Sequence, residues 1–308
     1  MPQIKAPRNK TIEVSAAEIK KYLKQAVKLN HRTPIEELYD KVIYQDTFKV
    51  LDFLPKNSID LMIVDPPYNL TKNFGQSTFK EMDLSDYKKW LDKWLKKTIS
   101  LLKPNATVYI CSDWKTSIVI PEIAGKYLFL QNRISWEREK GRGALNNWKN
   151  CLEDIWFFTN SKDYVFNIED VKIQRKVLAP YRDESGKPKD WKDAGENKTR
   201  LTCPSNVWTD ISIPFWSMPE NTNHPTQKPE KLIAKLILAS SNKGDVVFDP
   251  FLGSGTTAVT AKKLGRKFLG IEKEKEYVAL ALKRLEIAEE NPEIQGYENG
   301  VFRLRNGA

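Results

Sequence analysis

Six short apolar runs, separated by stretches long enough for amphipathic helices, constrain this chain more than any other feature. "KVIYQDT", "IDLMIVDPP", "ATVYICS", "DIWFFTN", "DVVFDPF" and "KFLGIEK" read as strands. Between them, "DYKKWLDKWLKKTISLLKP" puts Tyr87, Trp90, Leu91, Trp94, Leu95 and Leu102 on one helical face. Further helices are expected in "PEKLIAKLILASS", "TTAVTAKKLG" and "KEYVALALKRLEIAEE". Strands joined through helices pair in parallel, and a parallel sheet needs helices over both faces. The expected architecture is therefore α/β, a mostly parallel twisted sheet with helices on both sides.

The remaining segments are laid around that core. Residues 1–40 are polar and carry a helical stretch, "SAAEIKKYLKQAVKL", in which Ile19, Tyr22, Leu23 and Val27 form an apolar stripe. It is read as an extension that covers the core or serves as a partner-binding arm. Residues 41–136 and 223–290 form the core, and 291–308 a C-terminal tail. Residues 137–222, rich in Lys, Arg, Trp, Asn, Gly and Pro, show little periodicity apart from two strands near 155 to 167. A long excursion inside an α/β core is more often functional than passive. The net charge of +10 favours polyanionic partners. Three scattered cysteines and two histidines argue against a disulfide framework or a zinc site. No run of eighteen apolar residues occurs and the N-terminus lacks an apolar leader core, so a soluble, cytoplasmic protein is expected.

Two strand ends carry chemistry. "IVDPPYNL", residues 63–70, sets a carboxylate, a stiff backbone and an aromatic ring where a buried strand stops. "VVFDPFLGSGTTAVTAKKLGRKFLGIEKE", residues 246–274, runs from a strand into a turn bearing Gly253 and Gly255, then a helix starting at Thr256 or Thr257, then a strand ending at Glu272. Glycines let a ligand approach the backbone, free N–H groups of a helix start attract an anionic group, and an acid about twenty positions on suits ribose hydroxyls. Phe251 before the glycines suits packing on a purine or thioether better than cradling a pyrophosphate, so an adenosyl group is favoured over a dinucleotide.

Together, "DPPYNL" at 65–70 and "FDPFLGSGTT" at 248–257 resemble the signature motifs of the S-adenosylmethionine-dependent DNA amino-methyltransferases, the adenine-N6 and cytosine-N4 enzymes. The catalytic motif precedes the cofactor motif, as in the circularly permuted β group, whose target-recognition region lies between the two. "NHPTQKPEKLIAKLILASS" and "YQDTF" also resemble that group's motifs. The resemblance implies a Rossmann-like methyltransferase fold that binds S-adenosylmethionine. Asp46 would bond the cofactor's adenine amino group, the alternative being a helix N-cap. His224 and Lys228 would lie at its methionine carboxylate, the alternative being a Pro-bounded loop that caps the next helix, in which Thr226 or Gln227 would be purely structural. Asp249 would orient the turn or the ammonium, Phe251, Gly253, Ser254, Gly255 and Thr256 would form the cofactor turn, and Glu272 would take the ribose.

The chemistry can be argued from the residues as well. An exocyclic amino nitrogen is a poor nucleophile because its lone pair is delocalised into the ring. Asp65 can accept one of its N–H groups, the Pro66 carbonyl held rigid by Pro67 can accept the other, and Tyr68 can stack on the base. Direct in-line displacement from a sulfonium requires neither metal nor covalent intermediate, but the base must leave its duplex. In the insertion, Arg138, Lys140, Arg142, Asn146, Asn147, Trp148 and Lys149 are the expected DNA contacts. Trp90 and Trp94 are expected in the core; Trp136, Trp148 and Trp191 fall outside that helical pattern. Double-stranded DNA is the expected partner, with a homodimer and a separate cognate restriction endonuclease carried as further partners. Asp65 favours adenine over cytosine. The competing readings are a glutamine or RNA methyltransferase and a non-catalytic nucleic-acid-binding module; the first would carry N-P-P-Y after its glycine turn, the last a broken motif.

Overall fold

The computed structural model describes residues 6–138, 145–176, 181–187 and 199–303. Its main sheet uses strands β1 (Lys41–Tyr44), β2 (Ile59–Val64), β3 (Leu102–Asp113), β4 (Phe129–Glu137), β5 (Leu152–Thr159), β6 (Val207–Trp208), β7 (Val246–Asp249) and β8 (Lys267–Glu272). They lie in the order β1-β8-β7-β2-β3-β5-β4-β6. All pairings are parallel except the two made by β5.

The strands are apolar on both faces because both faces are covered. In β2, Met62 and Val64 join one core cluster with Tyr87, Leu91, Trp94 and Leu95 of helix α2 (Leu84–Ile99). Leu61 and Ile63 point the other way, into a cluster with Leu232, Val259 and Val278. These belong to helices α3 (Glu230–Ser240), α4 (Thr256–Lys263) and α5 (Lys275–Glu290). At the N-terminus a shorter helix, α1 (Ala16–Leu23), opens on a capping box between Ser15 and Glu18 and lies against α5, with Lys283 Nζ 2.6 Å from Glu18.

The order of strands creates a crevice. From β2 the chain moves to β3 on one side; from β7 it moves to β8 on the other, while β7 and β2 are neighbours. The strand ends at such a switch point diverge, which makes the natural ligand site of an open parallel sheet. Both motif strands, β2 and β7, end there.

Several expectations are corrected. The helix expected across residues 15–29 ends at Leu23, because Val27 instead makes a bridge with Ile43 of β1. Leu102 opens β3 and does not extend the helical stripe. Of the two strands expected near 155 to 167 only Leu152–Thr159 forms; turns follow it. The tail is part of the body: Tyr297–Glu298 and Val301–Phe302 join Ile173–Lys176 and Thr199–Thr202 of the insertion in a second, four-stranded sheet, and Phe302 is fully buried. Among the described residues, no helix is long and apolar enough to cross a membrane.

Candidate active site

A cavity of about 410 Å³ opens at the switch point. Its lining includes Asp65, Pro66, Pro67 and Tyr68 from the end of β2, and Asp249, Phe251, Gly253, Ser254 and Thr256 from the turn after β7. Asp46, His224, Lys228 and Glu272 line it as well. Gly255 does not line it but shapes the turn, with φ +85° at a point where a Cβ would lie 2.6 Å from that of Ala281.

The half beneath the glycine turn is held by backbone. Glu272 Oε2 accepts from Gly253 N–H at 2.8 Å, and Oε1 accepts from the N–H groups of Lys273 and Glu274, each at 2.8 Å. A carboxylate offers about four lone-pair directions, so one on Oε2 stays open for a ligand hydroxyl. Burial raises the Glu272 carboxyl above its ordinary range, against the pull of those three bonds. Asp249 accepts from Phe251 N–H at 2.9 Å and Thr257 Oγ1 at 2.7 Å, which fixes the turn, and burial pushes its carboxyl up to about 7. Asp46 is the N-cap of the turn of helix Thr47–Val50, accepting from Phe48 N–H at 2.9 Å through Oδ1, while it also lines the cavity. The α4 N-terminus has no side-chain cap and presents its first-turn N–H groups. His224 seats against Gly253, with Nε2 2.9 Å from where a Cβ would be, and burial lowers its pKa to about 4, so the ring is neutral at pH 7. An open acceptor at the end of β8, a positive-φ glycine turn and bare helix N–H groups together fit an adenosyl cofactor with a charged amino-acid end.

The other half is held by side-chain charges. Asp65 Oδ1 accepts from the Tyr68 hydroxyl at 2.8 Å and Oδ2 from Lys228 Nζ at 2.7 Å. Lys228 also reaches Tyr68 Oη at 3.1 Å and Glu153 Oε2 at 3.2 Å. Burial alone would lower the Lys228 ammonium, yet the carboxylates of Asp65 and Glu153 hold it above the usual lysine range. Burial, with the same two carboxylates, raises the Tyr68 phenol. The two proline carbonyls differ: Tyr87 donates to that of Pro67 at 3.0 Å, whereas no donor among the described residues reaches that of Pro66. Asp65 and Pro66 both line the cavity, and the Asp65 carboxylate and Pro66 carbonyl supply two acceptors, the number an amino group with two N–H bonds requires.

Some residues take other places than expected. Lys228 bonds Asp65, Tyr68 and Glu153, so its three N–H groups are all engaged away from any cofactor carboxylate. Trp136 is core, buried and donating to the Ile211 carbonyl at 2.8 Å. Trp94 is core, but Trp90 also lines the cavity and touches Phe251, their rings 5.9 Å apart. Arg138 turns inward to Glu153 at 2.5 Å. Asn146, Asn147, Trp148 and Lys149 stand exposed just before the cavity-lining Asn150 and Cys151, whereas Lys140, Arg142 and Trp191 lie outside the described residues.

Glu153, Arg284 and a hairpin of Lys72–Phe74 with Ser77–Phe79 escaped the sequence reading. Arg284 bonds the carbonyl of Ser254 and the hydroxyl of Thr256, each at 2.9 Å, and is balanced by Glu230, so it props the turn from behind. The hairpin covers the cavity, its Gly75 N–H donating to Tyr277 Oη at 3.0 Å and Gln76 N–H to Glu274 at 3.1 Å. A glycine opening a two-residue turn between alternating residues was its available signal.

A parallel sheet with a nucleoside-type turn and an acid-proline-proline-tyrosine strand end at one crevice defines a group-transfer enzyme of the α/β class. The chain belongs to the DNA methylase family: the model that joins N6 and N4 methyltransferases matches residues 59–283. It is 36% identical over 268 residues to the type II methyltransferase M.HpaI of Haemophilus parainfluenzae, spanning 86% of this chain and 78% of that one. It is 35% identical over 256 residues to the DNA adenine methyltransferase YhdJ of Escherichia coli, spanning 80% and 83%. Among solved structures, the M1.HpyAVI-SAM complex superposes with a TM-score of 0.55 at 26% identity, over 79% of this chain and 98% of that one. The cytosine-N4-specific PvuII DNA methyltransferase, at 20% identity and TM-score 0.59 over 79% and 85%, shares the fold.

Proposed function

We propose that the protein transfers a methyl group from S-adenosylmethionine to the exocyclic N6 of an adenine flipped out of double-stranded DNA. The observation that carries this is the adjacency, on one cavity, of the Asp65 carboxylate and the open Pro66 carbonyl with the Glu272 and Gly253 turn. The bound cofactor would supply an electrophilic methyl on a sulfonium.

What the chain's own residues do follows from their positions. Glu272 would accept a ribose hydroxyl on its remaining lone pair, Asp46 would take the adenine amino group on Oδ2, and the α4 start would face the carboxylate end. Asp65 and Pro66 would each accept an N–H of the target base, which draws the nitrogen away from planarity and returns lone-pair density to it. Lys228 Nζ sits at the hydroxyl end of Tyr68, 3.1 Å from Oη and 5.4 Å from the ring centroid, so it would leave the ring's faces to a stacked base. Flipping costs a few kcal/mol, offset by these contacts. The exposed Asn146, Asn147, Trp148 and Lys149 would meet the duplex beside the cavity mouth.

Adenine is favoured by Asp65 and by the adenine methyltransferase among the relatives; the cytosine-N4 likeness is one of fold. Relatives named type II methyltransferases favour, within the same proposal, action beside a separate cognate endonuclease. A homodimer would give twice the chain mass of 35.6 kDa in light scattering. The test is incubation with unmethylated duplex DNA and labelled cofactor, followed by mass spectrometry of the nucleosides. N6-methyladenine is expected; N4-methylcytosine would move the target, and label in protein or RNA alone would defeat the reading.

A further inference from the structure

Methyl transfer as read above leaves one buried charge without a task. Glu153 is the second residue of β5, the antiparallel strand, and therefore lies at the carboxyl ends of its neighbours, paired with Asp113 of β3 and Trp136 of β4. It is 5% exposed, and its carboxylate accepts from Arg138 Nη1 at 2.5 Å and Lys228 Nζ at 3.2 Å, with the Tyr68 hydroxyl oxygen 3.3 Å away. Lys228, 6% exposed, has three N–H bonds and three acceptors, Asp65, Tyr68 and Glu153. Asp65 and Glu153 face Lys228 and Arg138, with Lys72 also within electrostatic reach, and the pairing matters because an unpaired charge at this depth is strongly unfavourable.

The hydrogen positions follow from the donors. Tyr68 Oη accepts from Lys228, so its single proton must be donated elsewhere, and the 2.8 Å contact to Asp65 is shorter than the 3.3 Å one to Glu153. Each Asp65 oxygen then has one lone pair taken by the protein and one left over, and Asp65 lines the cavity. We propose that Lys228, anchored by Glu153, is the positioning residue that sets the orientation of Asp65 and of the Tyr68 hydroxyl for the target amino group. This rests on the methyl-transfer reading and gives Lys228 a task other than holding the cofactor carboxylate.

A double-mutant cycle tests it on the full chain. Glu153→Gln keeps the shape, but its amide must turn a donor toward either Arg138 or the Lys228 and Tyr68 pair. Lys228→Met removes the ammonium. Single-turnover methylation of duplex DNA at saturating S-adenosylmethionine should fall roughly 10- to 100-fold in each variant, the range seen when an orienting partner of an active-site ligand is lost. The cofactor Kd measured by calorimetry should stay within about twofold, because no contact to the cofactor is removed. The double variant should be no slower than Lys228→Met alone, since Glu153 acts through Lys228. If Lys228→Met does not fold, Lys228→Arg replaces it in the cycle, with the same unchanged Kd and slowed transfer expected. A weakened Kd with an unchanged rate at saturation would return Lys228 to the cofactor, and multiplicative losses would separate Glu153 from it; either outcome overturns the proposal. Wild-type protein that binds cofactor but methylates no DNA would defeat the underlying reading, and the proposal with it.

Discussion

Glu272 and Asp65 are both carboxylates at the ends of adjacent parts of one parallel sheet, yet they are held in opposite ways. Glu272 is fixed by three backbone N–H groups, two of them from the next two residues. Asp65 is fixed by a tyrosine three residues away and by a lysine 163 residues away. Backbone donors have no charge and cannot leave, so the cofactor side is rigid and insensitive to its neighbours. Side-chain charges are coupled to one another, so the catalytic side depends on Asp65 and Glu153 staying paired with Lys228 and Arg138. The difference teaches that binding and reaction here are stabilised by separable interactions, and substitutions should divide accordingly.

The largest effect is expected at Asp65. Asp65→Ala removes an acceptor for the target amino group and leaves Lys228 with Glu153 and the Tyr68 hydroxyl. Methyl incorporation should fall by at least about 10³-fold, comparable with losing a preorganised group at a reacting centre. Cofactor affinity by calorimetry should change little, because the Glu272 side shares no bond with Asp65. Normal methylation by this variant would remove Asp65 from its assigned role.

The same contrast explains what was legible in the sequence. The βα unit from Val246 to Glu272 is local: its strand, glycine turn, helix and closing acid follow one another, so the partners of Glu272 could be anticipated from spacing. Asp65 and Tyr68 were equally visible as a motif. Glu153 was not, since it enters the site only because β5 runs antiparallel, a matter of strand order that no local pattern encodes. Lys228 was visible as a motif residue, but its bond to Asp65 was not, for 163 residues separate the two along the chain. Trp136 looked available because it follows a stretch without helical period, yet the partner that buries it, Ile211, lies in the insertion. Phe302 looked like part of a tail because two residues of strand carry almost no periodic signal, although the second sheet buries it completely.

Asp249 lies between the two halves and gives a smaller, pH-dependent effect. Burial raises its carboxyl from 3.8 to about 7, against the bonds from Thr257 and Phe251. Between those values the folded protein holds a proton that the unfolded chain has already released. Stability attributable to this group therefore falls as pH rises through that window and levels off above it. Asn at 249 can still accept from Phe251 N–H and can donate to the Thr257 hydroxyl, but it does not titrate. Urea midpoints should show Asp249→Asn gaining on wild type as pH rises, by at most about 1.4 kcal/mol per unit. A difference independent of pH would mean that the turn tolerates an ionised Asp249.

The smallest effect, and the finest probe of the contrast, is expected from Glu272→Gln. The amide oxygen can keep the bonds from Lys273 and Glu274, but the amide nitrogen then meets the Gly253 N–H, donor against donor, and the lone pair reserved for a ribose hydroxyl is gone. One charge-assisted hydrogen bond is worth about 1.5–3 kcal/mol, and part of that is recovered because burying a neutral amide is easier than burying a carboxylate. Cofactor affinity should therefore weaken by about tenfold. Because none of Asp65, Tyr68, Lys228 or Glu153 touches Glu272, the single-turnover rate at saturating cofactor should remain that of the wild type. A rate loss at saturation would show that the glycine turn also aligns the methyl donor, and the division between the two halves would then be one of binding partners and not of function.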